Sequence, residues 1–178
     1  MSVLDIPIVS RVRRNHGLEH ATINLLNQRY PFLPLSGYSI PGGFFIVGDV
    51  STAAVKEAAA RALERLNRGE GFLAIHPNCG TNFVVSGFVI GLLVWFGMVG
   101  AKSGRDKVKR LPILLALSVL GLIASQPLGP LVQQRVTTSG DPQGLSIEKV
   151  VPIRFGRFCV HRVVTKSESQ QQEETDEE

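Results

Sequence analysis

The chain has 178 residues, of which 44% are hydrophobic, and a formal net charge of +4. Its mean hydropathy of +0.14 lies toward the membrane side of ordinary, so the composition argues against a wholly soluble protein. The two cysteines, Cys79 and Cys159, can form at most one disulfide, which excludes a disulfide-framed secreted domain and favours a reducing environment.

The N-terminal segment begins with basic residues and continues as a helix. Three arginines lie between residues 11 and 14 without an apolar stretch behind them, so we expect no cleavable signal peptide. Asn15 is a plausible N-cap, and apolar residues recur near helical spacing from there to about Gln28. The sequence therefore predicts a helix over this range, ending before Pro31.

A hairpin, a second helix and a short strand follow. Residues 36–48 predict two short strands joined through Pro41-Gly42-Gly43. Ser51 then caps an amphipathic helix that ends at Gly69, with its apolar stripe on one side and its charges on the other. Phe72–Ile75 predicts a short strand.

Two apolar segments of membrane-spanning length come next. No charged residue occurs between Gly71 and Ala101, and Thr81–Val99 would cover about 28 Å as a helix. The uncharged run Leu111–Gln134 predicts a second span at 111–132, with a proline kink or a stop near Gln126. The alternative is a buried core hairpin, but a chain this small has little other material to cover two uniformly apolar helices.

The segment between the spans is basic. Residues 102–110 hold five basic side chains and one acidic one. By the positive-inside rule this loop is cytoplasmic and both termini lie outside. A solvated turn or a contact with anionic lipid are the alternatives.

The C-terminal part predicts strands and then an acidic tail. Residues 150–164 are rich in β-branched and aromatic side chains and predict a strand or hairpin that joins the N-terminal sheet. Residues 167–178 contain six acidic residues and no basic one, which predicts a disordered tail. The expected fold class is α+β, with a small N-terminal α/β domain (1–80), an inserted transmembrane hairpin (81–134) and a C-terminal β segment (135–166).

One motif has the form His-x-x-Glu-His. On a helix His16 and His20 lie one turn apart on the same face, so that their imidazoles can bind one divalent ion. Glu19 lies too far round the helix to ligate comfortably, but it can take a proton from a metal-bound water. The alternative is a solvated helix that carries the pattern by accident.

A second motif, His76-Pro-Asn-Cys79-Gly, adds donors of the same class. Its turn residues allow the imidazole and the thiol to converge, and the residue types suit zinc or another divalent metal. Otherwise His76 bonds to the backbone and Cys79 is a small buried apolar group. Cys159 and His161 share one face of a predicted strand without an evident third partner, so we interpret them as structural.

The two motifs, together with Gln134-Arg-Val-Thr-Thr138, resemble the YqhQ-like bacterial membrane proteins, which are regarded as predicted metal-dependent enzymes. The likeness covers residues 11–147 in the same order, with the apolar spans between the second and third motifs. It implies a membrane-embedded metal site formed by His16, Glu19, His20, His76 and Cys79. It also implies outer residues near that site: Asn82, Gln134, Thr137 and Thr138. The chain lacks the Gly-rich N-terminal segment of the larger relatives.

Two functions are compatible with these residues. In a zinc metallohydrolase, for example a peptidase, His16, His20 and one residue of the second motif would hold the ion, and Glu19 would be the general base. In a structural or regulatory module, both histidines with His76 and Cys79 would close the tetrahedron. Either protein would be a multi-pass protein of the bacterial cell membrane, with lipid as a partner and no nucleic acid. The hydrolase would act on a membrane-protein or lipid-linked substrate.

Overall fold

The computed structural model describes residues 2–155 and 158–167, and these divide into two compact units. Residues 2–76 and 134–167 form an α/β unit, and Pro77–Gln133 forms a helical unit. The predicted apolar segment is therefore an insertion into one folding unit, and the C-terminal strands belong to the same unit as the N-terminal helices. The boundaries fall at His76 and Gln134, close to the predicted residues 80 and 135.

The α/β unit combines helices with one antiparallel sheet, as the predicted α+β class requires. The elements are α1 (Pro7–Arg29), β1 (Ser36–Ile40), β2 (Gly43–Val47), α2 (Thr52–Asn67), β3 (Ser146–Phe155) and β4 (Phe158–Lys166). The sheet has the order β1-β2-β4-β3, and the predicted first hairpin is confirmed, with Ile40 paired to Gly43. The C-terminal hairpin joins it because β4 pairs with β2.

The core of this unit lies between the two helices and one face of the sheet. Alternate residues of the central strands point inward, because side chains on a strand change faces at every position. Phe44, Ile46 and Val163 are fully buried on the inner face. On the outer face the Arg162 guanidinium lies 6.0 Å from the centroid of the Phe45 ring.

The helix α1 is longer than the sequence predicts. It begins at Pro7, a residue that suits the first turn of a helix, so Asn15 is not its N-cap. Asn15 is instead fully buried inside the helix. Its amide donates to the carbonyls of Ile40 and Pro41, and its oxygen accepts from the Thr165 hydroxyl. This residue therefore joins α1 to both hairpins.

The predicted strand at Phe72–Ile75 is wrong. Gly71–Ala74 forms a 3-10 turn instead. The carbonyls of this stretch meet side chains of α1 rather than a neighbouring strand: the Asn24 amide donates to the carbonyls of Leu73 and Ile75. Because these acceptors are already bonded, the segment needs no sheet partner.

The helical unit consists of α3 (Gly80–Met98), α4 (Gly104–Lys109), α5 (Leu111–Ser125) and α6 (Leu128–Val132), followed by a π-helical turn (Gln133–Thr137). The helices α3 and α5 run antiparallel and pack closely at small residues. A Cβ on Gly97 would lie 2.8 Å from Leu114, and one on Gly121 would lie 3.1 Å from Ile90. Part of the predicted basic loop is helical, since Ser103 caps α4.

The length and composition of α3 are sufficient to cross a membrane, and no residue of α3 is buried. An unburied helix does not fit the alternative of a core helix. The second predicted span is not one continuous helix, because Leu111–Ser125 and Leu128–Thr137 meet at a bend of 48° and pass the same criterion only together. The described residues thus include one spanning-length helix, or two if the bent pair counts as one. Of the predicted acidic tail, residues 168–178 lie outside the described residues.

Candidate metal centre

The two histidines of the first motif lie side by side on α1. Their ring centroids are 4.3 Å apart, and the rings meet edge to face. His20 is 2% exposed, whereas His16 is half-buried. The predicted one-turn spacing is therefore realised, and both imidazoles reach the same small volume.

The outer nitrogen of each ring is held by a backbone carbonyl. His16 Nδ1 lies 2.9 Å from the Thr137 oxygen, and His20 Nδ1 lies 2.8 Å from the Ala74 oxygen. A carbonyl can only accept, so Nδ1 carries the hydrogen and donates it in both rings. In the neutral tautomer that this fixes, the lone pair available to a metal is on Nε2 of both residues.

The histidines belong to a polar stripe that runs along one face of α1. Its members are His16, His20, Asn24 and Asn27, spaced by four, four and three residues. The stripe binds the segment that leads to the second motif, through the Asn24 bonds described above and through Asn27, whose amide nitrogen lies 3.5 Å from His76 Nε2. The segment that ends in His76 is thus held against α1 by hydrogen bonds to the backbone of Leu73 and Ile75 and to the His76 side chain.

His76 lies beside the histidine pair. Its ring centroid is 5.7 Å from that of His20, and the residue is 6% exposed. Burial, and to a lesser degree the charge of His20, lowers the pKa of His76. A lowered pKa keeps the imidazole neutral, which is the state that can bind a metal.

Glu19 is buried on the side of α1 that faces β1. It is 3% exposed, and Ser39 Oγ donates to Glu19 Oε2 at 2.5 Å. Burial raises the pKa of Glu19, while the Ser39 hydrogen bond and the charge of His16 oppose that rise. Gly37 makes room for this carboxylate, since a Cβ there would lie 2.2 Å from Glu19 Oε1. A carboxyl in such surroundings is suited to proton transfer near neutral pH.

Gly17, the residue between His16 and Leu18 in the first motif, has a steric role. A Cβ on Gly17 would lie 2.0 Å from the Ser139 carbonyl oxygen. Ser139 N in turn donates to the Arg13 carbonyl. Because only glycine permits this approach, the motif's own glycine lets residues 137–139 reach His16.

The residues predicted to surround the site have different positions. The Thr137 carbonyl binds His16, and Thr138 is buried with its carbonyl held by the Arg13 guanidinium. Gln134 is exposed. Asn82 lies in the helical unit, where its oxygen accepts from Gln133 at 2.6 Å. The neighbour of Gln134, rather than Gln134 itself, therefore bonds to Asn82.

Cys79 begins the helical unit as the N-cap of α3. It is 6% exposed, it is not part of a disulfide, and its sulfur accepts from Thr81 N at 3.4 Å. It lies three positions after His76 along the chain. The N-terminus of a helix stabilises a thiolate, which is the form that binds metals.

The structural interpretation of Cys159 and His161 agrees with their surroundings. His161 is fully buried, and its Nε2 lies 3.2 Å from Thr52 Oγ1 and 3.6 Å from Cys159 Sγ. Burial lowers the pKa of His161. These contacts fill the space where β4 meets the start of α2.

Sequence reasoning missed four residues that shape this site. Asn24 and Asn27 could have been found, because they continue the helical spacing of the two histidines. Ser39 and Gly37 could not, since their contact with Glu19 joins a helix to a strand about twenty positions away and no local pattern records it.

Comparisons with known proteins place the chain among uncharacterised sequences. A family model described as a domain of unknown function (DUF6391) matches residues 11–150. An uncharacterised protein of Picosynechococcus sp. strain PCC 7002 is 32% identical over 151 residues, which cover 78% of this chain and 71% of that protein. No solved structure matches. The matched range contains both motifs and the helical unit.

Proposed function

We propose that this chain, which belongs to the DUF6391 family, is a membrane-embedded metalloprotein of the metallohydrolase class. The proposed donors to zinc or another divalent ion are His16, His20 and Cys79, with His76 beside them. The family itself is uncharacterised, so it names no reaction. The kinship with YqhQ-like proteins, and their predicted status as metal-dependent enzymes, remains part of this proposal.

One observation carries the metal site. Both His16 and His20 donate their Nδ1 hydrogen to a backbone carbonyl, from Thr137 and from Ala74. Such bonds are the usual outer contacts of metal-binding histidines, because they fix the ring and the tautomer and make Nε2 more basic. An ordinary buried histidine can make such a bond as well. What distinguishes this pair is that both rings reach the same small volume, so that both Nε2 lone pairs are available to one ion.

Cys79 enters the donor set through the chain that connects it to His76. Three residues can span at most about 11 Å, and the polar stripe of α1 holds His76 next to the histidine pair. A thiolate with two imidazoles is a common donor set for zinc, whereas magnesium and calcium prefer oxygen ligands. The residues present therefore fit a zinc-like ion.

The catalytic role follows from counting the donors. Three protein ligands leave one tetrahedral position open, as in catalytic zinc sites. When bound there, the ion would lower the pKa of a water molecule toward neutrality. Glu19 is the proposed general base: its buried carboxyl has a raised pKa, and Ser39 orients it by donating to Oε2. Hydrolysis of an amide or ester bond is the reaction that this arrangement suits.

A structural zinc site is the second candidate, and the position of His76 favours it. His76 is buried 5.7 Å from His20, so a fourth protein ligand is at hand. If all four residues bound the ion, no position would remain for water, and the ion would stabilise the chain where the second motif leads into α3.

Membrane placement is supported by the surface of the helical unit. Large apolar side chains are exposed along both long helices, among them Phe88 at 67% and Leu115 at 62%. A soluble protein rarely exposes such a continuous apolar surface, whereas lipid would cover it. We propose two crossings in the bacterial cell membrane, a cytoplasmic segment at residues 102–110, and a membrane-protein or lipid-linked substrate.

The proposal is tested with purified protein in detergent. We expect about one zinc per chain in the wild type, no zinc in the double variant His16→Ala/His20→Ala, and full zinc in Glu19→Gln. In a peptide-library cleavage assay, Glu19→Gln should be slower by about 10²- to 10⁴-fold, the usual effect of losing a general base. Glu57→Gln, on the exposed face of α2, is the matched control.

The outcomes separate the two candidates. Equal zinc content in the double histidine variant and in the wild type would reject the site. Zinc-replete Glu19→Gln that cleaves like the wild type, or a wild type that cleaves nothing while holding zinc, would reject the hydrolase and leave the structural zinc site.

A further inference from the structure

A polar cluster lies at one end of the α3–α5 pair, among helices that are otherwise apolar. Ser86 Oγ and Ser125 Oγ are 2.8 Å apart and join the two helices. One turn before Ser86, the Asn82 amide donates to the Pro77 carbonyl at 2.6 Å. Polar groups within spanning helices are unfavourable in lipid, so their concentration in one place indicates a function.

The same residues line a cavity of about 340 Å³ within the helical unit. That volume is at the lower end of the range of about 300–1,000 Å³ typical of ligand pockets. Its polar lining comes from Asn78, Asn82, Ser86, Ser125 and Gln126, and its apolar lining comes from Pro77, Phe83, Leu122 and Pro130.

The position of the cavity is fixed by close packing behind it. Gly129 approaches Asn82 so closely that a Cβ there would lie 2.4 Å from Asn82 Oδ1. The same oxygen accepts from the Gln133 amide. The bend after Ser125 brings α6 into this contact, so the break in the second predicted span forms one wall of the cavity.

The chemistry of the lining selects a class of ligand. Among the described lining residues none is charged, so nothing there matches a phosphate or a carboxylate. The side-chain amides offer both donors and acceptors. A peptide backbone has the same two groups in alternation, whereas the ester groups of a neutral lipid only accept. Apolar walls beside the amides suit small aliphatic side chains.

We propose that this cavity binds a short, uncharged, extended peptide segment, with the lining amides bonded to its backbone and Phe83 and Leu122 against its side chains. This inference rests on the proposed membrane placement of the helical unit, and it extends the proposed hydrolase by naming a peptide as the substrate class. Binding here does not depend on the metal ion.

The test is photo-cross-linking of full-length protein in detergent. The probe is an acetylated and amidated hexapeptide of alternating alanine and leucine with one photo-leucine, and cross-links are located by mass spectrometry. We expect saturable labelling within residues 77–86 and 122–130 that excess unlabelled hexapeptide suppresses and dioleoylglycerol does not. The readout is a cross-link rather than turnover, so it stays interpretable if the metal site proves structural.

Two variants sharpen the test. Gln126→Leu keeps the side-chain volume but removes a lining amide, and it should weaken probe binding by roughly tenfold, as expected for one lost hydrogen bond. Ser118→Ala, on α5 outside the cavity, removes a hydroxyl bonded only to its own helix and should label like the wild type. Labelling elsewhere, displacement by the diacylglycerol alone, or unchanged binding by Gln126→Leu would overturn the proposal.

Discussion

The helices α1 and α3 distribute polar and apolar side chains in opposite ways. Along α1, polar side chains are inside: Asn15, Glu19 and His20 are at most 3% exposed. Along α3, apolar side chains are outside: Phe88 and Trp95 are more than 60% exposed, and no residue is buried. Both helices contain glycine, but Gly17 of α1 is covered, whereas Gly87 and Gly91 of α3 face open space.

The buried polar groups of α1 and the exposed apolar groups of α3 have different physical explanations. A buried polar group is tolerated only when it is bonded, and each of the three on α1 has a partner in the backbone, a hydroxyl or another side chain. Hydrogen bonds cannot compensate for an exposed apolar face, which needs an apolar environment to cover it. The first pattern is consistent with the proposed site of fixed side chains, and the second with the proposed lipid-facing surface.

The largest expected effect comes from charging the surface of α3. Phe88→Lys/Leu92→Lys places two charges on the same face near the middle of the helix, and each should disfavour insertion by about 3 kcal/mol. The variant should be released by carbonate washing, whereas Val108→Lys, in the basic segment, should stay with the membrane. Retention of the double variant at the wild-type level would mean that this face does not meet lipid.

Glycine replacements test the comparison between the helices directly. Gly17→Ala should lower the free energy of unfolding by about 1–3 kcal/mol, because the new Cβ overlaps the Ser139 carbonyl. Gly87→Ala meets nothing within 4 Å and should be neutral or slightly stabilising, since alanine favours helix. Thermal unfolding of both variants in detergent measures this. Equal effects at the two positions would contradict the close contact assigned to Gly17.

The smallest effect concerns the charge of Glu19 in metal-free protein. Folding raises the pKa of Glu19 above its ordinary value of 4.5, so the stability from the protonated carboxyl is fully present below that value and declines as pH rises through the folded pKa. Gln does not titrate and still accepts from Ser39. Glu19→Gln should therefore be increasingly more stable than the wild type as pH rises. A difference that is constant with pH would contradict the raised pKa.

Local pattern predicted most elements of the α/β unit. The first hairpin is marked by Pro41-Gly42-Gly43, and the amphipathic stripe of α2 is marked by its spacing. The predictions for the start of α1 and for residues 71–75 were wrong for the same reason. Asn15 and Asn24 bond to distant backbone, and a sequence pattern cannot distinguish a polar residue that caps a helix from one that bonds within the fold.

The sequence alone was enough to propose the candidate metal donors, but not the groups that surround them. His16, His20 and His76 stand in short motifs whose residue types suit a metal, and the helix brings the first two together by spacing alone. The groups that orient them are the carbonyls of Thr137 and Ala74, and backbone carbonyls have no residue-type signature. The bend after Ser125 was foreseen from its prolines, but the cavity beside it was not.

X-ray absorption at the zinc edge tests the central claim most directly, because it identifies the ligands themselves. For zinc-loaded full-length protein the account predicts one sulfur at about 2.3 Å and at least two imidazole nitrogens at about 2.0–2.1 Å. Cys79→Ser should remove the sulfur contribution, while Cys159→Ser should leave it unchanged. A spectrum with only oxygen ligands, or a sulfur contribution that survives Cys79→Ser, would contradict a metal centre formed by His16, His20 and Cys79.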